Sequence, residues 1–110
     1  MEPIHLPHVV EELEATDERD LEFLRTETLS LEVYRLGAGS ADPQEPHTED
    51  EVYYVLKGRA DIRVEDERHP VQPGDVIHVE RGVDHRFVDI EEDLVALVVF
   101  TPPFGSLATA

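Results

Sequence analysis

The sequence contains no cysteine, and this absence removes two classes of structure at once. Disulfide bonds cannot form, and no metal ion can be held by thiolates. Any metal site must therefore be built from histidine, aspartate and glutamate. Long apolar runs are also missing, since no stretch approaches the length of a membrane-spanning helix. The acidic beginning of the chain lacks the apolar segment of a signal peptide, so we expect a cytoplasmic protein.

Positive charge is scarce in this chain. Its 9 Lys and Arg residues face 26 Asp and Glu residues, the formal net charge is −17, and Lys57 is the single lysine. Contacts with phosphate need basic side chains, so nucleic acids and anionic membranes are disfavoured as partners. Such a charge opposes compaction in dilute salt, whereas at about 1 M salt the Debye length falls to about 3 Å. The composition therefore predicts an acidic, halophilic protein.

Helical periodicity is confined to the beginning of the chain. Pro3 and Pro7 predict an extended start, and residues 9–15 form a candidate helical turn anchored by Leu13. The remaining part of the 110-residue chain shows no other helical pattern, no repeat and no linker. Its length and its 40% hydrophobic content suit one domain, 1–110, with an N-terminal extension at 1–20.

The rest of the chain consists of short β-prone segments separated by turns rich in glycine, proline and acidic residues. This pattern is typical of an all-β sandwich or barrel. Turns are predicted at Lys57–Gly58, 65–68 and 89–93. Strands are predicted at 21–26, 29–37, 52–57 and 60–64, around Val71, and at 76–79, 85–88 and 94–100.

A cluster of metal-capable side chains precedes one of these strands. Alternate residues of an extended chain point to the same side, so Glu45, His47, Glu49 and Glu51 are predicted to share one side. The strand that follows is apolar on both faces, as expected for a buried strand. Charged groups that lead into such a strand are costly unless something compensates them, and a bound cation is the obvious compensator. The pattern predicts a metal site.

The segment from Glu45 to Gly58, EPHTEDEVYYVLKG, resembles the first signature motif of the cupin superfamily of small jelly-roll β-barrels. His47 stands at the second histidine of that motif, Glu51 at its glutamate and Gly58 at its closing glycine. Glu45 occupies the position of the first histidine. The resemblance implies a small jelly-roll barrel of the double-stranded β-helix type.

The segment from Gly74 to Asp89 resembles the second cupin motif. Gly74 opens it, Gly82 lies in its turn, and His85 stands at its histidine. Glu80 replaces the proline of the motif, and Asp89 replaces its asparagine. Together the two segments resemble those of a single-domain cupin with a short spacing between its motifs.

The resemblance implies that His47, Glu51 and His85 are three of the four cupin metal ligands, and that Glu45 takes the place of the fourth. It covers about residues 29–101. Two imidazoles and one carboxylate also form the set that binds Fe(II) with positions left open. If Glu45 binds as well, this harder set favours Mn(II) or Fe(II), with Zn(II) and Ni(II) as further candidates.

Three functions are compatible with such a site. A metal-dependent enzyme would activate O₂ at Fe(II) or polarise a carbonyl as a Lewis acid, and the resemblance implies dioxygenase or isomerase chemistry on a small organic substrate. No acid–base pair separate from the metal ligands is evident, so catalytic residues stay unknown. The second function is a barrel that binds or senses a metal or small ligand without turnover. The third is a barrel that has lost its metal, which Glu45 in place of histidine favours.

Four further features of the sequence carry expectations. Arg35 alternates with Val33 and is a candidate contact for an anionic substrate, while His78 is a candidate pocket residue. Glu49 is expected to be a solvated charge or a turn residue. The apolar strands and the proline-bearing N-terminus suit the strand exchange of similar cupins, so we expect a homodimer.

Overall fold

The computed structural model describes residues 2–107. Its strands pair antiparallel in the order β1-β2-β6-β3-β4, and β5 pairs with β3. No helix within this described part is long and apolar enough to cross a membrane. The elements are α1 (Leu6–Glu14), β1 (Asp20–Arg25), β2 (Ser30–Leu36), β3 (Asp50–Val64), β4 (Glu67–Val71), β5 (Val76–Val79) and β6 (His85–Thr101).

The two longest strands, β3 and β6, pair with each other along most of their lengths. The first half of β3 also pairs with β5 and the second half with β4, so the strand bends from one part of the barrel to the other. The bend lies at Gly58, where φ is 93° and the pairing register is irregular. A Cβ atom there would collide with the carbonyl group of Asp93, so only glycine permits this approach.

Two predicted turns were therefore wrong. The chain does not reverse at Lys57–Gly58 or at 89–93, because β3 and β6 each continue through these positions. Gly58 and Asp89, with positive φ values of 93° and 48°, allow the strands to bend without ending. The charged hairpin predicted at 65–68 is confirmed, although its turn is shorter and β4 already begins at Glu67.

Helix α1 packs on the outer face of the sheet. Its buried residues are Val9, Val10 and Leu13, which form one cluster with Val33 of β2 and Val95 of β6. The helix predicted over 9–15, with Leu13 as its anchor, is confirmed, but it begins earlier than expected. The extended start predicted from Pro7 is wrong, since proline is accepted in the first helical turn, where its missing N–H group has no intrahelical partner anyway.

The other face of the sheet encloses the main core. This core contains Tyr53, Phe87, Leu94, Val98 and Phe100, among other buried residues. Strand β2 contributes to both clusters because its side chains alternate. Val33 lies under the helix, while the interior side of β2 is formed by Ser30, Glu32, Tyr34 and Leu36, all of them buried. The predicted all-β barrel is confirmed, and polar side chains occupy one part of its interior.

Candidate metal centre

Three of the four predicted ligands meet in the barrel. His47 lies in the loop before β3, Glu51 is the second residue of β3, and His85 is the first residue of β6. Their donor atoms all lie within 4.8 Å of one another. His85 Nε2 is 2.9 Å from Glu51 Oε1, and His47 Nε2 is 3.8 Å from the same oxygen. The group offers two imidazole nitrogens and one carboxylate, a set that can hold a divalent metal ion.

The carboxylate of Glu51 is buried without a hydrogen-bond partner. Glu51 and His85 are each 1% exposed, and neither Glu51 oxygen accepts a hydrogen bond from any residue of the described 2–107 range. His85 Nε2 lies 2.9 Å from Glu51 Oε1, and the two groups form an ion pair only when the ring is protonated. A buried carboxylate without a donor is unfavourable in a metal-free protein. These two oxygens are therefore free to accept a cation.

The imidazole ring of His85 is oriented by a hydrogen bond from Nδ1. Nδ1 lies 3.0 Å from the carbonyl oxygen of Val83, which can only accept a hydrogen bond, so Nδ1 donates to it. In the neutral ring this leaves the lone pair of Nε2 directed at the cluster. Burial lowers the pKa of His85, but the Glu51 carboxylate, the Val83 carbonyl and the charge of Asp42 together raise it above its ordinary value of 6.5.

A hydrogen-bonded network supports the cluster from the loop between β2 and β3. Gln44 Oε1 accepts a hydrogen bond from the Tyr53 hydroxyl at 2.8 Å and lies 3.3 Å from His47 Nε2. Gln44 Nε2 donates to Asp42 at 2.8 Å. The Tyr53 hydroxyl is also 3.1 Å from His85 Nε2. Burial, followed by the charge of Glu51, raises the pKa of Tyr53 well above 10.0, so its hydroxyl stays protonated and orients Gln44.

The C-terminal segment closes one side of the cluster. The His47 ring meets the rings of Phe100 and Phe104 nearly edge-on, with centroids 5.1 and 5.4 Å away. The backbone N–H of Phe104 donates to Ser30 Oγ at 2.9 Å, and that of Gly105 donates to Glu49 Oε2 at 3.0 Å. These contacts make the segment an apolar wall of the site.

A cavity of about 200 Å³ opens beside His47. This is smaller than the pockets that hold drug-sized molecules, so it suits a small ligand. Its walls combine the rings of Tyr34, Phe100 and Phe104 with several polar groups. They are formed by Arg19, Asp20, Glu32, Tyr34, Pro43, Gln44, His47, Phe100 and Phe104.

The fourth predicted ligand does not join the cluster. Glu45 is exposed in the loop, outside the group formed by His47, Glu51 and His85. The predicted alternation of residues 45–51 fails because β3 begins only at Asp50, so the residues before it do not alternate as a strand. A ligand role for Glu45 stays a prediction.

The structure contradicts a solvated Glu49 and places two other candidates outside the cavity beside His47. Glu49 is buried, 2% exposed, and accepts hydrogen bonds from Thr48 Oγ1 and from the backbone of Gly105. The guanidinium group of Arg35 donates to the carbonyl oxygen of Thr16 and does not line the cavity beside His47. His78 is exposed on β5 and belongs to another surface groove.

Several site residues escaped the sequence analysis. Asp42 and Gln44 lie in the loop between β2 and β3, where no motif or strand pattern marked them as site residues. Glu32 lies on the side of β2 that faces the barrel interior, and the alternation alone did not show which side that is. An acidic residue inside a β-prone apolar segment was the available signal.

Comparisons with known proteins agree with this geometry. The sequence model of the Cupin domain family matches residues 32–100. An uncharacterized protein of Streptomyces coelicolor is 46% identical over 103 residues, which cover 94% of this chain and 98% of that protein. The alignment therefore spans nearly the whole of both chains.

Two solved structures share the fold. The crystal structure of TT1209 from Thermus thermophilus aligns with a TM-score of 0.76 and 25% identity over 94% of this chain and 99% of that one. The crystal structure of the DMSP lyase DddQ from Ruegeria pomeroyi aligns with a TM-score of 0.66 and 28% identity over 77% of this chain. The match spans 42% of the lyase chain. By its family match, its relative and its double-stranded β-helix fold, the chain belongs to the cupin family.

Proposed function

We propose that the protein is a metal-dependent enzyme that acts on a small organic substrate, and that His47, Glu51 and His85 bind its divalent ion. The single observation that carries the proposal is the buried Glu51 carboxylate. Both of its oxygens lack a hydrogen-bond partner within residues 2–107, and two imidazole rings converge on it. A cation would satisfy the carboxylate and both rings at once.

The donor set agrees with the metals expected for this site. Two imidazoles and one carboxylate suit Fe(II) or Mn(II), while Zn(II) and Ni(II) accept the same atoms. Three protein ligands leave positions open, so a bound substrate oxygen can complete the coordination. When bound, the ion would polarise such an oxygen as a Lewis acid. The cavity beside His47 provides the space for that substrate.

The walls of the cavity favour isomerase-type or lyase-type chemistry, in which a proton moves on a polarised substrate. Glu32 lines the cavity as a buried carboxyl group, and burial followed by the charge of Asp20 raises its pKa to about 8. A group with such a pKa can take or release a proton near neutral pH. The similarity to a DMSP lyase supports an enzyme over a barrel without a reaction.

Dioxygenase chemistry is a second candidate. The observation that favours it is the ligand set itself, because two histidines and one carboxylate with open positions are used by non-haem Fe(II) oxygenases. The Phe100 and Phe104 rings would shield the ion from water on one side. O₂ consumption that depends on Fe(II) and a small substrate would support this candidate.

Metal analysis of untagged protein by plasma mass spectrometry is the first test. We expect about one Fe or Mn per chain in the wild type and in Glu45→Ala, and loss of metal in His47→Ala and in His85→Ala. His69→Ala, at an exposed position on β4, is the matched control and should keep the metal. An equal metal content in all five proteins would contradict the proposed site. Absence of metal from the wild type would indicate a barrel that has lost its ion.

A second measurement separates the candidate reactions. Metal-loaded protein is incubated with small hydroxy and keto acids in D₂O, while O₂ is recorded with an electrode. Exchange of a substrate C–H for deuterium without O₂ uptake would support proton-transfer chemistry, and O₂ uptake would support a dioxygenase. If neither deuterium exchange nor O₂ uptake occurs while the metal stays bound, the result would favour a non-catalytic module that holds a metal or small ligand.

We also propose a homodimer. An apolar groove lies beside the edge strand β1, where Ile4 is 40% exposed and Phe23, Leu31 and Leu97 contribute to the lining. Exposed apolar surface of this kind favours contact with another chain. Sedimentation equilibrium in molar KCl should give twice the mass of the chain, and Ile4→Glu should shift the mass toward that of one chain. A monomeric wild type would contradict the proposal.

A further inference from the structure

The side-chain amide of Gln44 directs its oxygen at the cluster. Gln44 Oε1 lies 3.3 Å from His47 Nε2 and 2.8 Å from the Tyr53 hydroxyl. The same hydroxyl is 3.1 Å from His85 Nε2. The amide oxygen therefore lies beside the atoms through which His47, Glu51 and His85 face one another.

The hydrogen bonds of Gln44 determine which end of its amide faces the cluster. Gln44 Nε2 donates to Asp42 Oδ2 at 2.8 Å, and the backbone N–H of Gln44 donates to Asp42 Oδ1 at 3.1 Å. Asp42 is buried, and a carboxylate can only accept hydrogen bonds. A flipped amide would set its oxygen against that carboxylate, so the oxygen is held on the side of the cluster.

One lone pair of Gln44 Oε1 is engaged, and the other is available. The engaged lone pair accepts from the hydroxyl of Tyr53, a fully buried residue whose ring packs on Phe87. A carbonyl oxygen has two lone pairs, so one remains for a further partner. His47 Nε2 has no proton to donate to it when that nitrogen binds a metal ion. A cation at the cluster is then the partner that the second lone pair can meet.

The spacing of these atoms fits one shared ion. Ligand atoms about 2.1 Å from an ion are about 3.0 Å apart in octahedral geometry and about 3.4 Å apart in tetrahedral geometry. Gln44 Oε1 is 3.3 Å from His47 Nε2. Glu51 Oε1 is 2.9 Å from His85 Nε2 and 3.8 Å from His47 Nε2. Neighbouring atoms of the cluster are therefore spaced much as the ligands of one ion are.

We propose that Gln44 Oε1 is the fourth protein ligand of the ion held by the His47–Glu51–His85 cluster, in place of Glu45. The inference rests on the proposed function and goes beyond it. Glu45 stands at the ligand position of the motif, yet its side chain is exposed, whereas the preceding Gln44 is half-buried and reaches the cluster.

An amide oxygen as the fourth ligand has two chemical consequences. It is a hard donor, so it favours Mn(II) and Fe(II) over softer ions. It is also neutral, so a divalent ion whose one charged ligand is Glu51 keeps one net positive charge. Four protein ligands still leave two positions of an octahedral ion open for a substrate.

Mn(II) binding to the untagged protein tests this ligand. The electron paramagnetic resonance signal of free Mn(II) measures the dissociation constant. We expect that constant to rise about tenfold to hundredfold in Gln44→Ala, and to change by about threefold or less in the adjacent control Glu45→Ala. Equal Mn(II) affinities in the wild type and Gln44→Ala would overturn the inference.

The carbonyl stretch of the amide separates a ligand from a residue that only positions His47. The chain has two glutamines, Gln44 and the exposed Gln72. If the glutamine of Gln72→Ala is labelled with ¹³C at its side-chain carbonyl by cell-free synthesis, infrared difference spectra report Gln44 alone. Mn(II) binding through Oε1 should lower the frequency of this stretch. An unchanged frequency with Mn(II) bound would overturn the inference, even if Gln44→Ala weakens binding.

The possible failures are distinguishable. Failure of the wild type to bind Mn(II) would overturn the role of Gln44, and failure to bind any divalent ion would overturn the proposed metal site as well. Weaker binding in Glu45→Ala but not in Gln44→Ala would make Glu45 the fourth ligand. If Gln44→Ala does not fold, the infrared measurement still decides, because Gln72→Ala leaves Gln44 in place.

Discussion

The loop between β2 and β3 and the strands that it connects both bury carboxylates, but they treat them differently. Asp42 in the loop accepts four hydrogen bonds, from the Tyr34 hydroxyl, from the backbone and side-chain amides of Gln44, and from the backbone of Phe87. Glu49 in the same loop accepts two. Glu51 on β3 accepts none within residues 2–107, and Glu32 on β2 lines the open cavity beside His47. Burial alone therefore does not distinguish these groups, whereas their hydrogen bonds do.

The difference separates carboxylates that hold the fold from carboxylates that await a ligand. Asp42 joins the loop to β2 and β6, and Glu49 joins it to the C-terminal segment, so both fix the walls of the site. A buried group with all its partners stabilises one conformation, and a buried group without partners costs free energy. For Glu51 that cost is explained if a cation satisfies the carboxylate.

The largest effect is expected when a partnered carboxylate is removed. Asp42→Ala leaves the Tyr34 hydroxyl, the Phe87 N–H and the Gln44 amide without their acceptor, and it should lower the free energy of unfolding by about 4 kcal/mol. Urea unfolding of the metal-free protein measures it. Glu45→Ala, at an exposed position in the same loop, should change stability by about 0.5 kcal/mol or less. Similar losses in both variants would show that the hydrogen bonds of Asp42 are unimportant.

A metal ion should stabilise the protein through the unpartnered carboxylate. A ligand that binds only the folded state adds about 2.7 kcal/mol to the free energy of unfolding when its concentration is about one hundred times its dissociation constant. Thermal unfolding with and without Mn(II) should show this gain in the wild type. Glu51→Ala should lose it, and Glu49→Ala should retain most of it. A gain that survives in Glu51→Ala would mean that the ion binds elsewhere.

The stability of the metal-free protein should fall as the pH rises through the range set by Glu32. The folded state keeps this proton up to about pH 8, whereas the unfolded chain releases it near the ordinary carboxyl pKa of 4.5. Between these values the folded state binds more protons, so the free energy of unfolding decreases with pH. Because the cavity is open to water, we expect a decrease of about 2 kcal/mol from Glu32.

Glu32→Gln should remove this part of the decrease. The raised pKa of His85 acts in the same direction, since its protonated form is favoured in the folded state, and it stays in the variant. The measurement is urea unfolding at a series of pH values between about 5 and 8. Parallel curves for the wild type and Glu32→Gln would contradict an unpartnered, protonated Glu32.

The sequence predicted the barrel and three members of the cluster for different physical reasons. Alternating apolar residues identify strands, and the motif spacing places His47, Glu51 and His85. The alternation could not show that Gly58 bends β3 without ending it, because that depends on the close approach of the Asp93 backbone.

The hydrogen bonds of the loop carboxylates could not be predicted either. Asp42 accepts from residues 8 and 45 positions away, and Glu49 accepts from Gly105, 56 positions away. No local pattern encodes such contacts, so Glu49 looked like one more surface charge in an acidic chain. The predicted alternation of Glu45 with His47 and Glu51 fails because β3 begins only at Asp50, so a ligand role for Glu45 rests on its place in the motif alone.

The smallest expected change in the free energy of unfolding is the sharpest test of the difference between loop and strand carboxylates. The sign of this change should differ between the two regions. In the metal-free protein at about pH 9, Glu51→Gln removes a buried charge that no donor satisfies, so the free energy of unfolding should rise by about 1 kcal/mol. Glu49→Gln makes the same chemical change in the loop. It weakens the acceptor of the Thr48 hydroxyl and the Gly105 N–H, so the free energy should fall by about 1 kcal/mol. Urea unfolding of both variants beside the wild type measures the pair. If Glu51→Gln destabilises the protein as much as Glu49→Gln does, Glu51 is a structural carboxylate and the division between loop and strand carboxylates fails.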